Sequence, residues 1–169
     1  LYTAPYSRAQ TAPMFLLAAA TAAADSGPSV IVKLGGSAVT RKDKFETLNR
    51  AALDATAQLI RASCGDGRVL LVHGCGSFGH FQAHEYGISK GTGWRTFSWL
   101  GFAKTRRSAT KLNALILDAL LAAELPAVHL SPFPLWRKCA GRPTARTAKA
   151  GVRHVRELLR AGLMPVMHG

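Results

Sequence analysis

The chain has 169 residues, 48% of them hydrophobic and 18% charged, enough for one domain with a real core and too few for several. Its 22 Lys and Arg against 9 Asp and Glu give a formal charge of +13, which favours anionic partners: nucleic acid, acidic membrane or phosphorylated small molecules. Three cysteines, Cys64, Cys75 and Cys139, lack C-x-x-C spacing, which argues against a zinc site and for a reducing compartment.

Residues 1 to 28 contain one acid, Asp25, and an Ala-rich stretch, MFLLAAATAAADS. That composition suits a leader or the remnant of a transit peptide, with Met14 an alternative start, so the segment is set outside the fold. Its expected location is then the cytoplasm, or a plastid if the leader is a targeting peptide. No apolar run is long enough to span a bilayer, and no membrane association is expected.

Ser29 to Leu34, β-branched and stopped by Gly35-Gly36, predicts a buried strand. Residues 46 to 62 place Leu48, Ala52, Ala55 and Leu59 on one face of an amphipathic helix, ended by Gly65-Asp66-Gly67. Arg68 to Val72 predicts a second strand, followed by HGCGSFGH, residues 73 to 80, and a helical Ser77 to Tyr86. Residues 87 to 96 are a Gly-rich loop. A long helix follows over about 101 to 123, with Leu112, Leu115, Ile116 and Ala119 inward.

Pro126 to Leu130 predicts a third strand, and 131 to 150 a loop or small excursion. Gly151 to Ala161 predicts a helix with Val152, Val155 and Leu159 inward, and Leu163 to Met167 a fourth strand. Alternating strands and helices predict an α/β fold with a mostly parallel sheet, whose ligands gather at the carboxyl ends of the strands. Gly35-Gly36, His73-Gly74 and His168-Gly169 all fall at such ends.

From Pro126 onward, Arg137, Lys138, Arg142, Arg146, Lys149, Arg153, Arg156 and Arg160 face one acid, Glu157. They are dispersed, with Trp136 the one interleaved aromatic, so a solvated basic face is preferred over a nucleic-acid surface.

Gly74, Gly76 and Gly79 spell G-x-G-x-x-G, the pattern of a dinucleotide turn. The acid such a site needs about twenty residues on is missing. Residues 94 to 107 hold Arg95, Lys104, Arg106 and Arg107 and no carboxylate. A P-loop is excluded by the absence of G-x-x-x-x-G-K-[ST], and Ser77 as a nucleophile by Cys75 where G-x-S-x-G needs glycine. Lys33, inside VIVKLGG, sets an ammonium just ahead of bare backbone amides, and Lys42 can return to the same place from the next loop. Two cations around a phosphoryl group are what its transfer requires.

IVKLGGS with Thr40 and Lys42, then VHGCGSFGH, FQAHEYGISKG, LSPFPLW and GLMPVMHG, resembles the isopentenyl phosphate kinases of the amino acid kinase superfamily over residues 29 to 169. The resemblance implies an αβα sandwich, and ATP, Mg2+ and isopentenyl phosphate as cofactors and substrate, with isopentenyl diphosphate as product. It implies that Lys33, Leu34, Gly35, Gly36, Ser37 and Gly76 contact ATP. Lys42 stabilises the transferring group, and Cys75, His80 and Gly169 contact the acceptor, His80 through its phosphate. Lys33, Lys42 and His80 make the catalytic set, with no protein metal ligand and a homodimer as an allowed assembly. His73, His84 and His168 are expected to be structural. The family's nucleotide-binding half is expected after Gly169, so this stretch alone is expected to be inactive. A relative acting on another small phosphate or phosphonate, and a non-catalytic basic binding fragment, are the alternatives.

Overall fold

The computed structural model describes residues 16–19, 27–64, 67–93, 95–133, 138–139 and 142–168. The β-branched run V-I-V-K-L forms strand β2, Val30–Leu34, after a short strand β1, Leu16–Ala19. Helix α1, Gly36–Val39, is a single turn, and α2 spans Arg50–Cys64. Strand β3, Val69–His73, leads through a 3-10 turn at Gly76–Phe78 into helix α3, His80–Glu85. Helix α4 covers Trp99–Ala122, capped by Ser98, whose Oγ accepts the Gly101 amide at 2.9 Å. Strand β4 is Ala127–His129 and two-residue strands β5, Lys138–Cys139, and β6, Arg142–Pro143, pair as a small ribbon. Helix α5, Ala145–Arg160, and strand β7, Met164–His168, complete the order.

The main sheet runs β1-β2-β3-β7-β4, parallel except for β1, which pairs antiparallel with β2 along its edge. Four of the residues assigned to a leader are therefore part of the sheet: Leu16–Ala19 satisfy the β2 edge that would otherwise lie open. The rest of 1–26 lies outside the described residues.

One sheet face carries Val32, Leu34, Val69, Leu71 and Val166 against Leu53, Ile60, Leu112, Ile116 and Leu120 of α2 and α4. Leu71, fully buried in β3, is a position where truncation to Ala costs about 2–5 kcal/mol. On the other face, Val155 and Leu159 of α5 close over Leu70, Val72 and Met167.

Two helix faces differ from expectation. In α2 the buried residues are Leu53, Thr56, Ala57 and Ile60, and Leu59 is 48% exposed. Leu48 precedes the helix and sits in an isolated bridge with Thr40, so a face counted from it is rotated away from the core. Helix α5 begins at Ala145 rather than 151, and its inward residues are Gly151, Val155 and Leu159, with Val152 exposed. Among the described residues no helix is long and apolar enough to cross a membrane.

Candidate active site

Leu34, His73 and His168 stand in one row across β2, β3 and β7, so these strands finish at the same level of the sheet. Above β2 and β3 lies a cavity of about 300 Å³ lined by Gly36, Ser37, Lys42, Gly74, Cys75, Gly76, Ser77 and His80. A larger hollow of about 490 Å³ sits at the other end of the strands, beside Val69 and Met164, with Arg61, Arg68 and Glu124 at its walls. Parallel sheets bind ligands beyond the carboxyl ends of their strands, so the smaller cavity is the candidate site.

Its floor is main chain. The Gly74 amide donates to the Leu34 carbonyl at 3.0 Å, joining the loop after β3 to the end of β2. Gly36 and Gly76 then come into direct backbone contact, and Gly76 takes φ +49°, a left-handed conformation that glycine adopts freely. The first-turn amides of α1, at Gly36 and Ser37, have no carbonyl within the helix to bond, and both residues line the cavity. This answers the ambiguity of the glycine pattern: two strand ends build one cradle, rather than one strand presenting a dinucleotide turn.

The buried Thr40 hydroxyl holds the two loops together. It donates to the Gly36 carbonyl at 2.8 Å and accepts the Ser77 amide at 3.1 Å. Lys42 is carried by the following loop, which is closed by Arg41 N–H to Thr47 O at 2.9 Å and Asn49 N–H to Val39 O at 2.8 Å. Phe45 in this loop meets Phe81 of α3 edge to face at 5.9 Å, and Glu46 pairs with Lys111 of α4 at 2.5 Å. Burial raises the Glu46 carboxyl, but hydrogen bonding and charge from Lys111 more than offset it, so it stays ionised. The loop bearing Lys42 is thereby fastened to the helix that begins with His80.

The expected site residues divide into those that meet and those that do not. Gly36, Ser37, Lys42, Cys75, Gly76 and His80 converge on the cavity. Gly35, the residue preceding α1, is not part of the lining. Leu34 is in the core, 1% exposed, and offers only its carbonyl, which is engaged by Gly74. Lys33 does not line the cavity. It is exposed on β2, in register with Val72 on the sheet face that α5 partly covers. Alternation along the strand places Lys33 opposite to Leu34 and the α2–α4 core. Gly169 lies outside the described residues. Burial pushes the Cys75 thiol up, so it lines the cavity as a neutral group.

Behind the cradle are three histidines. His73 is buried in β3, with Nε2 2.9 Å from the Asn113 amide nitrogen of α4 and Nδ1 3.1 Å from the Gly74 carbonyl. The amide nitrogen can only donate, which puts the His73 proton on Nδ1. His168 lies 6.0 Å from His73 and stacks on His129 at 5.6 Å. Burial, followed by the neighbouring imidazoles and Arg106, pulls His168 down to about 4. Its Nε2 finds no hydrogen-bond partner among the described residues. His73 and His168, expected to be structural, are indeed buried here, whereas Thr40, Asn113 and His129 carry no role in the sequence reading. Asn113 had one visible sign, a polar residue beside the inward Leu112 of a long apolar helix stripe.

The amino acid kinase family profile matches residues 28–169. Isopentenyl phosphate kinase of Methanothermobacter thermautotrophicus is 38% identical over 147 residues, 83% of this chain and 52% of that protein. The Arabidopsis thaliana isopentenyl phosphate kinase is 30% identical over 176 residues, 82% of this chain and 52% of its own length. A solved isopentenyl phosphate kinase superposes with a TM-score of 0.73 at 38% identity, covering 82% of this chain and 55% of that one. The chain thus spans about half the length of the relatives it matches. With the two-stranded glycine cradle in place and the profile running through nearly all the described residues, the chain belongs to the amino acid kinase family.

Proposed function

We propose that the full-length protein transfers the γ-phosphoryl group of ATP to isopentenyl phosphate, giving isopentenyl diphosphate and ADP. The observation that carries this is the convergence of Lys42 and His80 on one backbone-floored cavity. A volume of about 300 Å³ is at the lower end of small-ligand sites. It suits the phosphate ends of two substrates rather than a whole nucleotide.

An acceptor phosphate oxygen attacks the γ-phosphorus, the bond to the bridging oxygen breaks, and ADP leaves with that electron pair. The acceptor is already anionic, so no general base is needed, in keeping with a lining that holds no carboxylate among the described residues. The Gly36 and Ser37 amides and the Lys42 ammonium face the transferring group and neutralise its charge. His80 donates a hydrogen bond to the acceptor phosphate and fixes its direction of attack. Cys75 and Gly76 shape the wall beside it. Magnesium, expected from the family resemblance, would neutralise the nucleotide's phosphates. Among the described residues this lining offers it no carboxylate ligand.

The test is ADP release by the full-length protein with isopentenyl phosphate, and with other small phosphates and phosphonates as competing acceptors. His80→Ala should abolish turnover at ordinary acceptor concentrations. Lys42→Ala should lower kcat by about 10²-fold or more while changing the KM for isopentenyl phosphate little. Unchanged kinetics in both variants, or preference for another acceptor, would overturn the assignment.

A further inference from the structure

We propose that Thr40 is a positioning residue for phosphoryl transfer, setting the separation between the donor and acceptor halves of the cradle. The inference rests on the kinase reading above and assigns a role to a side chain that would contact neither substrate.

The two halves come from different strands. Gly36, Ser37 and Lys42 follow β2, whereas Cys75, Gly76, Ser77 and His80 follow β3. Main-chain links between them are Gly74 N–H to Leu34 O at 3.0 Å, at the root of the loops, and Glu46 N–H to Ser77 O at 3.4 Å, where Ser77 Oγ also donates to Thr47 O at 3.4 Å. Between the cavity-lining backbones of Gly36 and Ser77 themselves, the connection is the Thr40 hydroxyl, which is buried and donates to the Gly36 carbonyl while accepting the Ser77 amide. One oxygen therefore ties the backbone of the first loop to the backbone of the second. Gly76 leaves no room for a side chain on the same side, because a Cβ there would run into Thr40 Oγ1 and sit 2.6 Å from the Gly36 carbonyl oxygen.

Thr40 is itself held. Its backbone bridges Leu48, closing the loop that carries Lys42 two residues later. Movement of its hydroxyl would shift Gly36 and Ser77 relative to one another, and with them Lys42 relative to His80. In-line transfer is sensitive to such shifts, roughly 10²-fold in rate for an ångström of misplacement. Binding of the acceptor by His80 alone is not.

In the full-length protein, Thr40→Val removes the hydroxyl at nearly constant shape and Thr40→Ser retains it. Thr40→Ala serves where the valine variant does not fold. We expect kcat to fall at least about tenfold in the variant lacking the hydroxyl, with the KM for isopentenyl phosphate within about threefold. Exchange of the Ser77 amide hydrogen should accelerate, and serine should restore both. A variant with a lowered melting temperature but wild-type kcat, or a serine variant that rescues neither readout, would overturn the proposal. If the unaltered protein does not phosphorylate isopentenyl phosphate, the proposed reaction fails on its own. Ser77 exchange then decides the coupling: faster in Thr40→Val and normal in Thr40→Ser supports it, and equal protection in all three refutes it.

Discussion

Gly36 and Gly76 touch main chain to main chain. A Cβ added at Gly36 would sit 2.6 Å from the Gly74 carbonyl oxygen and 2.7 Å from the Gly76 Cα, neither of which is a flexible group that could turn aside. Its neighbour Gly35 is in the opposite situation, with φ −63° and nothing within 4 Å of an added Cβ. Adjacent glycines in one motif therefore serve different ends, close approach at Gly36 and accessibility at Gly35.

Gly36→Ala should destabilise the full-length protein by about 1–3 kcal/mol or more, because the two strand ends must separate. Gly35→Ala should stay within about 0.5 kcal/mol of the parent. Urea unfolding of the pair measures the difference, and equal midpoints would show that the loops are not in contact.

Helices α4 and α5 end in the same way. Leu125 N–H bonds Leu120 O at 3.0 Å and Glu124 N–H bonds Leu121 O at 2.9 Å; Leu163 N–H bonds Leu158 O at 3.0 Å and Gly162 N–H bonds Leu159 O at 3.2 Å. Both are Schellman closures, which place one residue in the left-handed region. That residue is Gly162 at φ 76° after α5, but Glu124 at φ 60° after α4. Glu124→Gly should therefore stabilise by about 0.5–1 kcal/mol, and Gly162→Ala should destabilise by a similar amount. Thermal melts give the sign directly, and a lowered midpoint in Glu124→Gly would contradict it.

The histidine row makes stability depend on pH. Burial first, then neighbouring charge, depresses His73, His129 and His168, the last to about 4 from 6.5. Between those values the unfolded chain binds the proton that the folded chain refuses. The stabilisation is therefore complete above about pH 6.5 and is lost as pH falls toward 4. Replacing His168 with Phe should flatten that fall in melting temperature. An unchanged slope would place the acid sensitivity elsewhere.

The sheet was legible because its strands are short apolar runs bounded by glycine or proline, and β2, β3, β4 and β7 each lie within a residue or two of where the pattern puts them. The convergence of Gly36, Lys42 and His80 was legible through motif resemblance rather than composition. The α2 face was misread because apolar residues lie on two sides of that helix, and only tertiary packing chooses between Leu53 and Leu59. Thr40 and Asn113 escaped because their meaning lies in partners 37 and 40 positions away, Ser77 and His73. The outward placement of Lys33 follows from strand alternation, which a hydrophobic run with one lysine does not disclose until its register is known.

Among the described residues, those lining the cradle all fall between Gly36 and His80, and the two strands beneath it begin at Val30. Within the described residues, the lining of the cradle is thus written in one unbroken stretch. The Thr40–Ser77 and Leu34–Gly74 contacts that close it join residues 37 and 40 positions apart, so it forms only once β2 and β3 have paired. During synthesis this stretch is made before α4, α5 and β7. The order of translation therefore lays down the chemistry of the cradle first and the helices that brace it afterwards.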